Sequence, residues 1–282
     1  MSQSSHPIIK ASELAKLQSE KDFDLIDARF GKSNYDANHL KGALHVDLNS
    51  QLSDIKADFA DGGRHPLPTA SRFFRLLEEL GIRPSTQVVV YDDKNGANAA
   101  ARFWWMMKAV GHEKIQVLDG GMEAAIQAGF PVSTEIEKVF ANGNYHVLTW
   151  QLPISDIHEI DKVSEDKNYL VIDVRENERY RGEKEPIDLV AGHIPGSVNI
   201  PFASNLDSQG LFLSPAELKE KYSKAFEGKP AENIIVHCGS GVTACHTLLA
   251  VAHAGMEIPK LYIGSWSEWS RNNRPIATEL EK

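Results

Sequence analysis

The sequence predicts an α/β protein made of two tandem copies of one domain, each a mostly parallel sheet flanked by helices on both faces. Three observations lead to this prediction. Short runs rich in Val, Ile and Leu alternate with longer helical patterns, which is typical of α/β folds. The runs are apolar throughout, as expected of parallel strands that are buried on both faces. The same order of motifs also occurs twice along the 282 residues.

The repeat is visible in pairs of matching segments. DFDLIDAR matches NYLVIDVR, which aligns Asp27 with Asp173. QVVVYDDKNGANAAARFWWMM matches NIIVHCGSGVTACHTLLAVA with the same offset of 146 residues, which aligns Asp92 with Cys238. These matches predict an N-terminal domain at 1–133, an interdomain linker at 134–150 and a C-terminal domain at 151–282.

The elements of the second copy follow from local patterns. The runs YLVIDV, SVNIP, NIIVH and KLYIG are typical of strands. A helix is predicted in LSPAELKEKYSKAF, because Ser214 can cap it, Pro215 suits the first turn and Glu217 completes a capping box. VTACHTLLAVAHAG predicts a second, more apolar helix that ends at Gly255.

Composition and charge exclude several classes of partner. The chain carries a formal net charge of −9 and has no block rich in Lys and Arg, so nucleic acid and anionic membranes are not expected as partners. No apolar run approaches the roughly 20 residues that span a bilayer, and the N-terminus shows no signal-peptide pattern. We therefore expect a cytoplasmic protein.

The only two cysteines are Cys238 and Cys245. Seven residues of helical rise would separate their Cα atoms by roughly 10 Å, whereas a disulfide requires about 4.4–6.8 Å. Free thiols are therefore expected, as in a reducing compartment.

The loop around Cys238 has the composition of an anion-binding site. The cysteine follows an apolar strand and precedes a helix, and ligands gather at this end of the strands in parallel sheets. Gly239 and Gly241 permit positive φ, so that successive amide groups can converge on one atom, and Ser240 and Thr243 add hydroxyl donors. These donors favour a thiolate, which makes Cys238 a candidate nucleophile.

Other uses of such a loop fit the residues less well. A cysteine phosphatase has the pattern C-x5-R, but Ala244 stands where the phosphate-binding arginine would be. Ser240 has glycine directly on both sides, so G-x-S-x-G is not formed. His237 precedes the cysteine on a strand and is expected to point to the opposite face, as a packed histidine rather than a catalytic one.

The tandem repeat, the CGSGVTA loop and the segment GHIPGSVNIP together resemble the two-domain rhodanese and 3-mercaptopyruvate sulfurtransferase family over essentially the whole chain. The resemblance implies that Cys238 carries sulfane sulfur as a persulfide. It also implies that the first copy is non-catalytic, since Asp92 cannot accept sulfur. The persulfide cradle would be formed by Gly239, Ser240, Gly241, Val242 and Thr243.

The resemblance further implies a reaction in two halves. The thiolate takes sulfur from thiosulfate or 3-mercaptopyruvate and then passes it to cyanide or a thiol, with a protein thiol as a further candidate acceptor. No metal and no organic cofactor is expected. In this family CRKGVT-like loops are typical of thiosulfate enzymes and CGSGVT of mercaptopyruvate enzymes, so the loop favours 3-mercaptopyruvate.

Substrate-binding arginines are also implied by the resemblance. In the segment DVRENERYRGEKEPIDLVAGHIPG the match is Arg179, with Arg181 as the alternative. Mercaptopyruvate enzymes usually have a second arginine after the Glu-Pro pair, where this chain has Ile187.

Some members of the family use an Asp and a His of the first domain to assist the loop serine. The stretch GRHPLPTASRF is expected to offer Arg64 and Arg72 in their place, so a serine-assisted mechanism is not expected at Ser240. These two arginines would instead add positive charge to the site.

Three other functions remain open at this point. They are a thiosulfate-specific rhodanese, a phosphatase-like hydrolase, and a persulfide carrier that delivers sulfur only to a protein partner.

Overall fold

The computed structural model describes residues 6–17, 23–137, 139 and 149–279. These residues form two compact units. The first comprises the described residues of 1–53, 68–151 and 210–212, and the second those of 54–67, 152–209 and 213–279. Much of the expected linker, 138 and 140–148, lies outside the described residues, and the domain boundaries stay a prediction.

The first unit has a five-stranded sheet in the order β1-β6-β5-β2-β4, in which every neighbouring pair is parallel. A short antiparallel pair, β3 and β7, lies apart from it. The strands are β1 (Ile8–Ile9), β2 (Phe23–Asp27), β3 (His39–Leu40), β4 (Ala43–His45), β5 (Gln87–Tyr91), β6 (Ile115–Leu118) and β7 (Val132–Ser133). The helices are α1 (Ala11–Leu17), α2 (Lys32–Ala37), α3 (Ala70–Glu79), α4 (Ala99–Ala109) and α5 (Gly121–Gln127).

The second unit repeats this topology. Its parallel sheet has the order β8-β12-β11-β9-β10, which matches β1-β6-β5-β2-β4 strand for strand. The strands are β8 (Ile154–Ser155), β9 (Leu170–Asp173), β10 (Val198–Asn199), β11 (Ile234–His237) and β12 (Lys260–Tyr262). The helices are α6 (Ile157–Val163), α7 (Asn177–Tyr180), α8 (Pro215–Phe226), α9 (Ala244–His253) and α10 (Ser265–Trp269), with 3-10 turns at Phe202–Asn205 and Ala231–Asn233.

The predicted fold class is therefore confirmed, as are the two helices expected in the second copy. The capping box at α8 forms as predicted, with the Ser214 hydroxyl accepting from the Glu217 amide at 3.3 Å and the Glu217 carboxylate accepting from the Ser214 amide at 2.9 Å. In the described part of the chain, no helix is long and apolar enough to cross a membrane.

Both faces of the second sheet are covered. Adjacent residues of a strand point to opposite faces, and Ile234, Ile235 and Val236 all have no exposed surface. Ile235 packs in one cluster with Ile160 of α6 and Trp266 of α10. Because the strands are buried on both faces, polar functional groups are expected at the strand ends, where the loops begin.

A buried aspartate–arginine pair recurs at the carboxyl end of the second strand in each copy. Arg175 Nη2 lies 2.6 Å from Asp173 Oδ2, and Arg29 Nη2 lies 2.8 Å from Asp27 Oδ2. Burial raises the pKa of Asp173, but the charge and hydrogen bonds of Arg175 outweigh it, so the pKa lies below its ordinary value. The expected structural role of both aspartates agrees with these contacts.

The matching histidines also have equivalent environments. His39 stacks on Tyr35 with 3.9 Å between ring centroids, and His193 stacks on Tyr180 at 3.8 Å. In each case Nδ1 lies within hydrogen-bond distance of the tyrosine carbonyl oxygen. Because the copy without a cysteine has the same arrangement, this pair fixes a turn rather than performing chemistry.

Replacing Asp173 by Asn should lower the free energy of unfolding by about 3 kcal/mol, because the buried Arg175 would lose the nearer of its two carboxylate partners and keep Glu185. Urea unfolding of the two proteins measures the difference. It should be largest above about pH 4 and shrink below it, because Asp173 has its pKa depressed in the folded state and loses its stabilising charge only in acid.

Asp161→Asn is the matched control. Asp161 also pairs with an arginine, Arg274, but its side chain is 40% exposed. Its loss should cost less than about 1 kcal/mol. Equal losses in the two variants would contradict a special role for the buried pair.

Candidate active site

Cys238 lies directly after β11, at the carboxyl end of the central strand of the second sheet. Its exposed fraction is 2%, and neither it nor Cys245 is in a disulfide, as expected. Cys245 lies inside α9, where its thiol donates to the Gly241 carbonyl at 3.4 Å. The two thiols therefore have different roles: Cys245 supports the loop and Cys238 begins it.

The carbonyl groups of the loop are bound by the protein around it. The Cys238 carbonyl accepts from the Trp266 amide at 3.0 Å, and the Gly239 carbonyl accepts from the Ser267 amide at 2.9 Å. The Cys238 amide donates to the Ser265 hydroxyl oxygen at 3.2 Å. The start of α10 thus fixes the first two residues of the loop.

The amide groups of the loop are treated differently. Nearly all of the loop is buried. Even so, five of its amides have no hydrogen-bond acceptor within the described chain, namely those of Gly239, Ser240, Val242, Thr243 and Ala244. Buried amides almost always have a partner. A loop whose carbonyls are bound and whose amides are not is suited to hold an anion at its first residue.

The first copy shows the same loop holding a carboxyl group. Asp92 occupies the position of Cys238, and its carboxylate accepts hydrogen bonds from four backbone amides at 2.9–3.2 Å: those of Lys94, Gly96, Asn98 and Ala100. Asp92 is fully buried. In the second copy a sulfur atom stands where this carboxylate begins, which is the placement that a thiolate or persulfide requires.

Gly241 is needed at its position for steric reasons. Its φ is +73°, and a Cβ there would lie 2.4 Å from the carbonyl oxygen of Ile263. The loop therefore turns back on itself against the end of β12, and no residue with a side chain fits without a shift of backbone.

His237 is a packed histidine, as expected. It is fully buried, its Nδ1 lies 3.2 Å from the Cys238 carbonyl oxygen, and its Nε2 has no hydrogen-bond partner in the described chain. Burial lowers its pKa despite the nearby Asp173, so it is neutral at pH 7.

A segment from the first half of the sequence, 54–67, belongs to the second unit and reaches the loop. It is anchored on α10: the Gly62 amide donates to the Glu268 carboxylate at 3.0 Å and the Arg64 amide donates to the Ser267 hydroxyl oxygen at 3.0 Å. A Cβ at Gly63 would lie 2.3 Å from the Gly264 carbonyl oxygen, so the two backbones are in close contact.

His65, on this segment, is the site residue that the sequence analysis missed. Its Nδ1 lies 2.8 Å from the Ser240 hydroxyl oxygen. The expectation that arginines alone take the place of a serine-assisting histidine is therefore wrong. The histidine was present in the stretch GRHPLPTASRF, but the corresponding stretch of the second copy, 200–213, contains no histidine for comparison.

Two arginines lie over the loop. Measured from a Cβ built on Gly239, Arg64 Nη2 is at 3.0 Å and Arg179 Nη2 at 3.4 Å. Arg179 is held by Glu185, with its Nη2 2.8 Å from a carboxylate oxygen. Burial raises the pKa of Glu185, but the hydrogen bonds from Arg179 and the Asp188 amide outweigh it, so Glu185 is ionised at pH 7.

The other two arginines of the sequence analysis have different environments. Arg181 is 44% exposed and pairs with the surface carboxylates of Glu183 and Glu279. Arg72 is part of the first unit, where its guanidinium donates to the Ser50 carbonyl at 2.6 Å. Of the four, the structure brings Arg64 and Arg179 to the loop of the second unit.

The chain is similar in sequence to a protein family and to several named proteins. A family model described as "Rhodanese-like domain" matches residues 10–128 and 156–272. A Pseudomonas aeruginosa protein named "Probable 3-mercaptopyruvate sulfurtransferase" is 39% identical over 98% of this chain and 99% of its own length. The Arabidopsis thaliana "Thiosulfate/3-mercaptopyruvate sulfurtransferase 2" is 32% identical over 96% of this chain and 86% of its own.

A solved structure is also similar. The 3-mercaptopyruvate sulfurtransferase from Leishmania major superimposes with a TM-score of 0.81 at 27% sequence identity, over 96% of this chain and 76% of that one.

Replacing Gly241 by Ala should displace the loop. Alkylation of Cys238 by iodoacetamide at pH 7, followed by mass spectrometry, should slow about tenfold or more, because the loop amides no longer surround the sulfur. Gly255→Ala is the control: its φ is also positive, at +69°, but nothing lies within 4 Å of the added Cβ. That variant should lose only about 1–2 kcal/mol of stability and keep the wild-type alkylation rate. An unchanged rate in Gly241→Ala would contradict the role given to the loop.

Proposed function

This chain belongs to the rhodanese-like family, and we propose that it transfers the sulfur atom of 3-mercaptopyruvate to a thiol or cyanide through a persulfide on Cys238. The enzyme class predicted from the sequence, a sulfurtransferase, is confirmed by the relatives. The observation that supports Cys238 as the carrier is the set of buried amides without protein acceptors that follows it.

The first half-reaction is a displacement at sulfur. The Cys238 thiolate attacks the sulfur of 3-mercaptopyruvate, an S–S bond forms, and the C–S bond of the donor breaks. The electron pair stays on the departing carbon as the enolate of pyruvate, which takes up one proton to give pyruvate. The persulfide that remains is again an anion, and the loop amides suit it as well as the thiolate.

The Ser240–His65 pair is placed to handle protons in this step. The hydroxyl and the imidazole nitrogen are 2.8 Å apart, and Ser240 is two residues from the cysteine. A serine linked to a histidine can pass a proton to or from a bound donor at little energetic cost. We assign to the pair the transfer of the proton of the donor thiol to the enolate as the C–S bond breaks.

The arginines supply the binding site for the donor. Arg64 and Arg179 are the guanidiniums nearest Gly239, and 3-mercaptopyruvate has a carboxylate and a keto oxygen that both accept hydrogen bonds. In this arrangement Arg64 takes the place of the arginine that is missing at Ile187. Thiosulfate is the second candidate donor, and the same two arginines are the observation that favours it.

The second half-reaction regenerates the Cys238 thiolate. A thiolate or cyanide attacks the outer sulfur, the S–S bond breaks, and the Cys238 thiolate leaves. Three exposed apolar side chains beside the site favour a protein thiol as one acceptor: Ile187, Leu189 and Val190, with exposed fractions of 54%, 71% and 39%.

The two free cysteines support a reducing compartment, and we propose the cytoplasm.

Cys238→Ser should abolish thiocyanate formation from 3-mercaptopyruvate and cyanide, because a serine cannot carry sulfane sulfur. Cys245→Ser should keep most of the activity, since Cys245 lies inside α9 with its thiol donating to the Gly241 carbonyl. Comparable losses in the two variants would contradict the assignment of the carrier.

Arg179→Gln should lower kcat/KM for 3-mercaptopyruvate by about 10–100-fold, the effect of losing a hydrogen bond from a charged donor to the carboxylate. Arg181→Gln should change it less than threefold, because Arg181 contacts surface carboxylates instead of the loop. Steady-state kinetics of both variants decides between the two arginines. A larger loss in Arg181→Gln would reverse the assignment.

A further inference from the structure

Asp188 lies at the centre of the charges around the active site. Its side chain has no exposed surface, and its carboxylate contacts three guanidiniums: Arg64 Nε at 3.1 Å, Arg179 Nη2 at 3.3 Å and Arg271 Nη1 at 3.1 Å. Two of these three arginines are the ones nearest Gly239. A single buried carboxylate thus partly neutralises the groups that would bind the donor.

The remaining charges of this cluster are fixed as well. Glu185 accepts from Arg175 and Arg179, and Asp173 accepts from Arg175. Four arginines with side chains at most 19% exposed (Arg64, Arg175, Arg179 and Arg271) therefore face three carboxylates with side chains at most 4% exposed (Asp173, Glu185 and Asp188), and the 60% exposed Glu176 carboxylate lies 3.6 Å from Arg179 Nη1. Removing the charge of Asp188 would add one positive charge to this cluster.

We propose that Asp188 sets the charge of the donor-binding site and so selects for a donor with one negative charge over a donor with two. 3-Mercaptopyruvate has one carboxylate, whereas thiosulfate is a dianion. The identity of the donors rests on the proposed function, but the effect of Asp188 on the electrostatic potential at Cys238 does not depend on it. Asp188 touches no reacting atom in this account and acts through the arginines.

The first experiment measures that potential directly. Cys238 is alkylated with iodoacetate, which is an anion, and with iodoacetamide, which is neutral, and mass spectrometry gives the rate at each cysteine. Asp188→Asn keeps the shape of the side chain and should raise the iodoacetate-to-iodoacetamide rate ratio at Cys238 about tenfold. A change in access or in thiol reactivity would affect both reagents and leave the ratio unchanged.

Matched variants separate charge from structure. Asp188→Glu restores the carboxylate and should bring the ratio back toward the wild-type value. Glu183→Gln also removes one negative charge from the segment between α7 and β10. Because the Glu183 side chain is 37% exposed and pairs with Arg181, the rate ratio should stay within twofold of the wild-type value. An unchanged ratio in a cooperatively folded Asp188→Asn would overturn the proposal.

Arg271→Gln tests the same idea in the opposite direction. Arg271 contacts Asp188 and the Ser267 carbonyl, and its loss removes one positive charge from the cluster. The ratio should fall about tenfold. If Asp188→Asn does not fold, this variant alone decides, and an unchanged ratio in it would overturn the proposal.

The second experiment measures kcat/KM for both donors with cyanide as acceptor. The thiosulfate-to-mercaptopyruvate ratio should rise about tenfold in Asp188→Asn. If the wild-type protein transfers sulfur and neither ratio moves, the proposal for Asp188 fails and the proposed function stands. If the alkylation ratio moves but the wild-type protein uses neither donor, the proposed function fails and the charge-setting role stands.

Discussion

The hydrogen bonds between the backbone of residues 238–239 and the first turn of α10 are the interaction on which the site depends. They bind the carbonyl groups of Cys238 and Gly239 to the amides of Trp266 and Ser267. Since a peptide group points its carbonyl and its amide in opposite directions, this anchoring leaves the following amides for the sulfur. The loop, the end of β11 and the start of α10 are therefore held together by hydrogen bonds. The same turn of α10 also binds the segment that contains Arg64 and His65.

Because the domain is duplicated, the surroundings of Cys238 can be compared with those of Asp92 at the matching position of the first copy. At the matching position the carboxyl group of Asp92 accepts hydrogen bonds from four amides of its own loop, so those amides are already used. Replacing a carboxylate by a sulfur atom leaves the second loop with donors that a thiolate or persulfide can use. The two copies thus share a scaffold of aspartate–arginine and tyrosine–histidine pairs and differ in what the loop holds.

Much of the fold and the centre of the site could be predicted from the sequence, because they depend on local patterns. The two-copy organisation follows from the repeat, the cap at Ser214 from its neighbours, and the loop from its glycines. The contacts of His65 with Ser240 and of Arg64 with Asp188 could not be predicted, since the corresponding stretch of the second copy, 200–213, contains no histidine and no arginine for comparison. Arg271 was likewise missed, because a lone arginine after a short helix gives no signal of its contact with Asp188.

A single-turnover reaction tests the central claim most directly. The protein is mixed with 3-mercaptopyruvate in the absence of any acceptor, and released pyruvate and the mass of the peptide that contains Cys238 are measured together. The account predicts one equivalent of pyruvate and one added sulfur atom on Cys238 per chain. Pyruvate release without added sulfur on Cys238, or sulfur on Cys245 instead, would contradict it.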